Sequence, residues 1–146
     1  MNMGLDQLHA SMLWRLFAAT VLGAAVGYER ERAGKPAGIR THGMVSLGSA
    51  LFTVVSLYGF PSTSDPARVA AQIVTGIGFL GAGAILHQRR NVQGLTTAAS
   101  LWVVAAVGLA VGVGMVLMSA ATVVLVIALL RLGPRLKGNP SVERTE

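Results

Sequence analysis

The sequence has no cysteine, which excludes disulfides and thiolate metal sites. It has little charge: Asp, Glu, Lys and Arg make up 12% of its 146 residues, where soluble domains carry roughly 25%. Carboxylates are the scarcest, six against twelve Lys and Arg. With the charge halved and clumped, a soluble domain of useful size does not fit. The net charge of +6 would suggest nucleic acid in a soluble protein. Here the cations stand between apolar runs, so topology in a bilayer explains them better, and nucleic acid is not expected as a partner. A secretory leader is not expected either, because the N-terminus lacks a basic region and Arg15 interrupts its apolar run.

What the chain does have is apolar length. Hydrophobic residues make up 53% and the mean hydropathy is +0.61. A helix needs about 20 apolar residues to cross roughly 30 Å of hydrocarbon. The expected helices are 11–32, 40–59, 66–87, 95–111 and 115–132, followed by a short basic tail, 133–146. Pro61 closes the second, and Asp65 before Pro66 reads as an N-cap opening the third. Leu95–Leu130 carries no charge and, as one helix of about 54 Å, would be far too long for one crossing. The glycines of Val111–Gly114 are the expected place for it to turn back. The fold expected is an all-α integral membrane bundle of five transmembrane helices. Ten of the twelve Lys and Arg then fall on one side, which places the N-terminus outside and the C-terminus inside. "LGAAVGYERER" (22–32) and "LGAGAILHQRR" (80–90), with "GIRT" (38–41) and "GLTT" (94–97), outline a parallel repeat of helices one–two and three–four.

The densest charge cluster is "GYERERAGKPAGIRTHG", Gly27–Gly43. Its glycine and lysine do not have the spacing of a phosphate loop, so an ATPase is not expected. Arg30, Arg32, Lys35 and Arg40 suit an anchor to anionic headgroups, which Glu29 and Glu31 would weaken. The other reading is an ion-pair network at the inner face, with Glu29 paired to Arg40 and His42 nearby. His42 and His87 match no zinc spacing, no magnesium cage is evident, and neither a metal nor a cofactor is assigned.

At the outer face, Arg15 either snorkels or meets Asp65, in a polar cluster with Arg68 and Gln72. Arg15, Ala19, Leu22, Val26 and Glu29 form one stripe of helix one, the expected inward face. Gly23/Gly27 and Gly108/Gly112 are G-x-x-x-G pairs, and Gly76, Gly78, Gly81 and Gly83 crowd helix three. All eight are expected at helix contacts.

Three long stretches carry a resemblance: "GYERERAGKPAGIRTHGMVSLGSALF", "SDPARVAAQIVTGIGFLGAGAIL" and "VQGLTTAASLWVVAAVGLAVG". In this order they resemble the membrane domain of the MgtC/SapB family of bacterial inner-membrane proteins, over roughly residues 13 to 131. The resemblance implies a multi-pass inner-membrane domain involved in adaptation to low magnesium. It also implies, for some members, roles in intracellular survival and in restraining ATP synthase. Many members carry a cytoplasmic ACT-like domain after the membrane part, and none is expected within residues 133–146. The function expected is non-enzymatic, in magnesium homeostasis, acting on other membrane proteins or through self-association in the bilayer. The alternative is a small oligomeric transporter or channel for an ion or small solute.

Overall fold

The computed structural model describes residues 3–61, 65–88 and 91–136. Among the described residues five helices follow one another: α1 (Met3–Arg32), α2 (Ile39–Tyr58), α3 (Ala67–Gly83), α4 (Leu95–Val113) and α5 (Val116–Leu136). Between α3 and α4 lies a short antiparallel hairpin, β1 (Leu86–Gln88) and β2 (Asn91–Gln93), with Leu86 opposite Gln93 and His87 opposite Val92.

Four boundaries differ from the sequence expectation; one is the end of α5, which runs to Leu136 rather than 132, so the helix takes in the start of the expected tail. α1 begins at Met3 rather than Ser11. Nothing in that stretch breaks a helix, Asp6 suits the positive helix start, and the Ser11 hydroxyl donates to the Leu8 carbonyl within the helix, at 2.8 Å. α3 stops at Gly83, short of the expected His87, and the chain turns into the hairpin instead. Ala84 closes the helix by donating to the Leu80 and Gly81 carbonyls, and a Gly-Ala-Gly end does little to prolong it. The turn between α4 and α5 narrows to Gly114 and Met115, because Gly114 takes the left-handed conformation (φ 106°) and ends α4 in one residue. The basic residues Arg89, Arg90, Lys137 and Arg144, and the side chains of His87 and Arg135, lie outside the described residues.

The distribution of polarity is inverted relative to a soluble domain. Buried positions hold small residues such as Ala19, Val26, Ala50, Val104 and Val111, together with His42, Ser46, Ser49, Thr53, Thr97 and Ser100. Large apolar side chains point outward: Phe79 is 83% exposed and Leu117 85%, with Leu13, Trp14, Phe17 and Phe52 also on the surface. A protein in water seldom exposes this much large apolar surface. In lipid there is no penalty for it, and close packing of small residues does the work of holding helices together. α1 and α4 are long and apolar enough to cross a membrane.

Glycine sets the closest approaches. α2 lies between α1 and α4. A Cβ on Gly23 would fall 2.6 Å from the His42 carbonyl oxygen, and one on Gly27 would fall 2.7 Å from the Ile39 Cα. On the other flank, a Cβ on Gly108 would collide with the Ser46 carbonyl, and one on Gly112 would stand 2.7 Å from the Thr53 Cβ. Both G-x-x-x-G pairs therefore press against α2, as the sequence leads one to expect. Among the described residues a Cβ on Gly81 would meet only Ala98, at ordinary contact distance, while one on Gly76, Gly78 or Gly83 would meet nothing beyond its own helix within 4 Å. Among the described residues these three form no close helix contact, because α3 leans on α4 and barely touches α2.

Candidate functional site

α1 delivers its charges in a fan. Successive helical residues are about 100° apart, so three consecutive charges at its end reach three different elements. Glu29 turns toward α5, where Arg131 donates to its Oε2 from Nη2 at 2.7 Å and Nε at 2.9 Å. Arg30 turns toward α4, and its Nη2 donates to the Thr97 hydroxyl at 2.8 Å. Glu31 reaches over the loop and accepts the Ile39 N–H at 3.0 Å. That bond caps α2, whose own N-cap Gly38 has no side chain to do so, and it puts a carboxylate at the positive end of the helix.

The expected pairing of Glu29 with Arg40 is not formed. Arg40 is exposed, and Glu29 meets Arg131 instead, because its side of α1 packs against α5 rather than the start of α2. Arg32, the last residue of α1, and Lys35, on the loop between α1 and α2, are also exposed. Two left-handed residues, Gly34 (φ 64°) and Ala37 (φ 61°), fold that loop tightly.

His42 forms no ion pair among the described residues. It is fully buried, with Nδ1 donating to the Gly38 carbonyl at 3.1 Å and Nε2 3.0 Å from the Ser100 hydroxyl. Ser100 in turn donates to the Thr97 carbonyl at 2.8 Å. Arg30, Thr97, Ser100 and His42 thus form one buried chain linking α1, α4 and α2. Below it on α2 runs a file of small polar residues, Ser46, Ser49, Thr53 and Ser56, all buried. With His42 they recur at spacings of four and three, one face of the helix along its whole length. Ser46 Oγ has no hydrogen-bond partner among the described residues. Sequence reasoning named His42 alone; the periodic Ser/Thr signal was there to be counted.

The outer-face cluster does not assemble. Arg15 extends toward the last turn of α4, donating to the Gly112 carbonyl at 2.9 Å and to the Tyr58 hydroxyl at 3.3 Å, with its guanidinium carbon 5.9 Å from the Tyr58 ring centre. A cation there is favoured by the negative end of α4 and by the ring face. The N-cap position of α3 falls on Pro66 rather than the expected Asp65, but the Asp65 carboxylate still accepts the Ala67 N–H of the first turn at 2.9 Å. Arg68 and Gln72 are exposed. The stripe of α1 is buried between its charged ends: Ala19 and Val26 are fully enclosed, Leu22 packs against them, and Arg15 and Glu29 are half-buried. Among the described residues, no three His, Asp or Glu gather as metal ligands.

A groove of about 640 Å³ separates α2 from α3. Met44, Val45, Phe52, Ile73, Ile77 and Leu80 line it, with Gly48 and Gly76 widening it and Thr41, Ser49 and Gln72 supplying its few polar atoms.

Residues 16–139 match the MgtC family. Escherichia coli (strain K12) has a relative named "Putative magnesium transporter YhiD", 50% identical over 113 residues, covering 73% of this chain and 53% of that protein. "Protein MgtC" of Brucella abortus (strain 2308) is 45% identical over 125 residues, 80% of this chain and 52% of that protein. "Protein MgtC" of Salmonella typhimurium (strain 14028s / SGSC 2262) is 48% identical over 99 residues, 68% of this chain and 42% of that protein. The chain spans about half the length of the curated relatives it matches. No solved structure matches it. With its family match running from the middle of α1 to beyond α5, the chain belongs to the MgtC family.

Proposed function

We propose that this chain is a non-enzymatic, multi-pass protein of the bacterial inner membrane, serving magnesium homeostasis by acting on other membrane proteins. Family membership supports the link to magnesium, as does a relative at 50% identity whose name speaks of magnesium transport. Five crossings with the C-terminus inside account for ten of the twelve Lys and Arg on one side. The mode of action rests on the α2–α3 groove. Its lining is largely apolar and runs along α2 from Thr41 to Phe52 and along α3 from Val69 to Leu80, so it suits a transmembrane helix of another protein and offers little to a hydrated cation.

The test is capture of partners from cells grown at low magnesium, using the full chain and a Gly76→Leu variant that fills the groove. The wild type should retain a defined membrane protein that the variant loses. If neither captures one, or both capture the same one equally, the reading fails.

One observation favours the transporter reading. The file His42, Ser46, Ser49, Thr53 and Ser56 runs the length of α2 and is buried throughout. Intramembrane polar files mark ion and proton pathways in other proteins. Magnesium flux into proteoliposomes decides it: flux abolished by Ser49→Leu would establish transport, and folded protein without flux would exclude it.

A further inference from the structure

α4 meets an arginine from α1 at each end. Arg15 contacts Gly112 in its last turn, and Arg30 contacts Thr97 in its first. The same number of residues separates both pairs (15 to 30, 97 to 112), so the two helices run antiparallel. Electrostatically the ends are opposites. The C-terminal end of a helix carries exposed carbonyls and partial negative charge, which welcomes Arg15. The N-terminal end carries free N–H groups and partial positive charge, which repels Arg30.

Arg30 is also the more deeply placed of the two, only 6% exposed. Among the described residues its one hydrogen bond goes to a neutral hydroxyl, and its Nε is buried without a partner. Among the described residues its guanidinium is in no ion pair. The two carboxylates beside it in sequence are engaged elsewhere, Glu29 by Arg131 and Glu31 by the Ile39 N–H. Among the described residues no side chain caps α4, whose N-cap is the left-handed Gly94. A buried cation against a positive helix end is costly unless an anion joins them. Arginine's planar fork and the N–H groups of a first helical turn both suit a tetrahedral oxyanion.

We propose that Arg30 and the first turn of α4 form a binding site for a phosphate group, carried by a phospholipid headgroup at that face or by a free phosphate. The site lies beyond the proposed partner groove and does not depend on it. Exposed Arg32 at the end of α1, Lys35 on the loop and Arg40 at the start of α2 add positive potential that draws an anion toward it.

The full chain, purified in a neutral detergent, provides the test. In one arm inorganic phosphate replaces chloride at fixed ionic strength while the thermal unfolding midpoint is followed. In the other, short-chain phosphatidylglycerol is titrated in, and native mass spectrometry records retained lipid. A rise in midpoint with phosphate identifies a free-anion site. A rise with the lipid alone, with lipid retained in the spectrum, identifies a headgroup site. In either case Arg30→Gln should weaken the response by about tenfold or more, the loss expected for a charged hydrogen-bonding partner. Arg30→Lys should keep part of it, and Arg15→Gln, at the other end of α4, should leave it unchanged. The proposal is overturned if neither phosphate nor lipid stabilises the wild type beyond chloride, or if Arg30→Gln responds as the wild type does. The wild-type arms alone can overturn it should the glutamine variant fail to fold.

Discussion

Arg131 of α5 grips a single carboxylate oxygen of Glu29 on α1 with two of its nitrogens, across 102 positions of sequence. The contact joins the fifth helix to the first, at the end where α1 spreads its charges. It also explains why carboxylates interrupt a basic loop: each is committed to a different element.

Because the Arg131 side of this pair is exposed, its attraction is screened by salt. Arg131→Gln should lower the unfolding midpoint more at low salt than at high salt. Exchanging the charges, with Glu29→Arg and Arg131→Glu together, should recover most of what either single change loses. A double-mutant cycle measured in detergent checks this, and zero coupling at low salt would refute the pairing.

The glycines divide into two classes. Gly108→Ala drives a methyl into the Ser46 carbonyl and should cost about 1–3 kcal/mol or more, as overpacking does. Gly76→Ala meets open space and should be neutral or stabilising, by up to about 1 kcal/mol from helix propensity. Thermal midpoints of the two variants should differ in sign or nearly so.

Arg15 and Asp65 act independently. Arg15→Gln removes a charged hydrogen bond to the end of α4 and should cost about 1.5–3 kcal/mol. Asp65→Asn should be nearly silent, since either side chain can accept the Ala67 N–H, whereas Asp65→Ala should cost about 1 kcal/mol. The double variant Arg15→Gln/Asp65→Asn should show simple additivity; a coupling energy would revive the direct pair.

Orientation has its own test. A reporter fused after Glu146 should show cytoplasmic activity, and one fused within residues 62–64 should show the opposite. Matching signals from both fusions would overturn the five-crossing topology.

Much of the framework was legible because it is periodic. The stripe from Arg15 to Glu29 follows from 3.6 residues per turn, and the two G-x-x-x-G pairs do pack helices. The Ser/Thr file on α2 obeys the same period and was overlooked only because small hydroxyls attract less notice than charges. The hairpin was illegible. Apolar residues on both sides of it extend the helical reading, and no pattern announces the left-handed Gly94 between β2 and α4.

By itself the sequence determined composition, the number and approximate extent of the helices, and which face of α1 turns inward. These properties rest on local periodicity and on the apolar length a bilayer demands. Only the tertiary structure decided which charges meet. Glu29 chose Arg131 over the nearer Arg40, Arg15 chose the end of α4 over Asp65, and Arg30 came to rest against a helix end of its own sign. A side chain's partner depends on which helix lies across from it. That is settled by where glycines let backbones approach, not by distance along the chain.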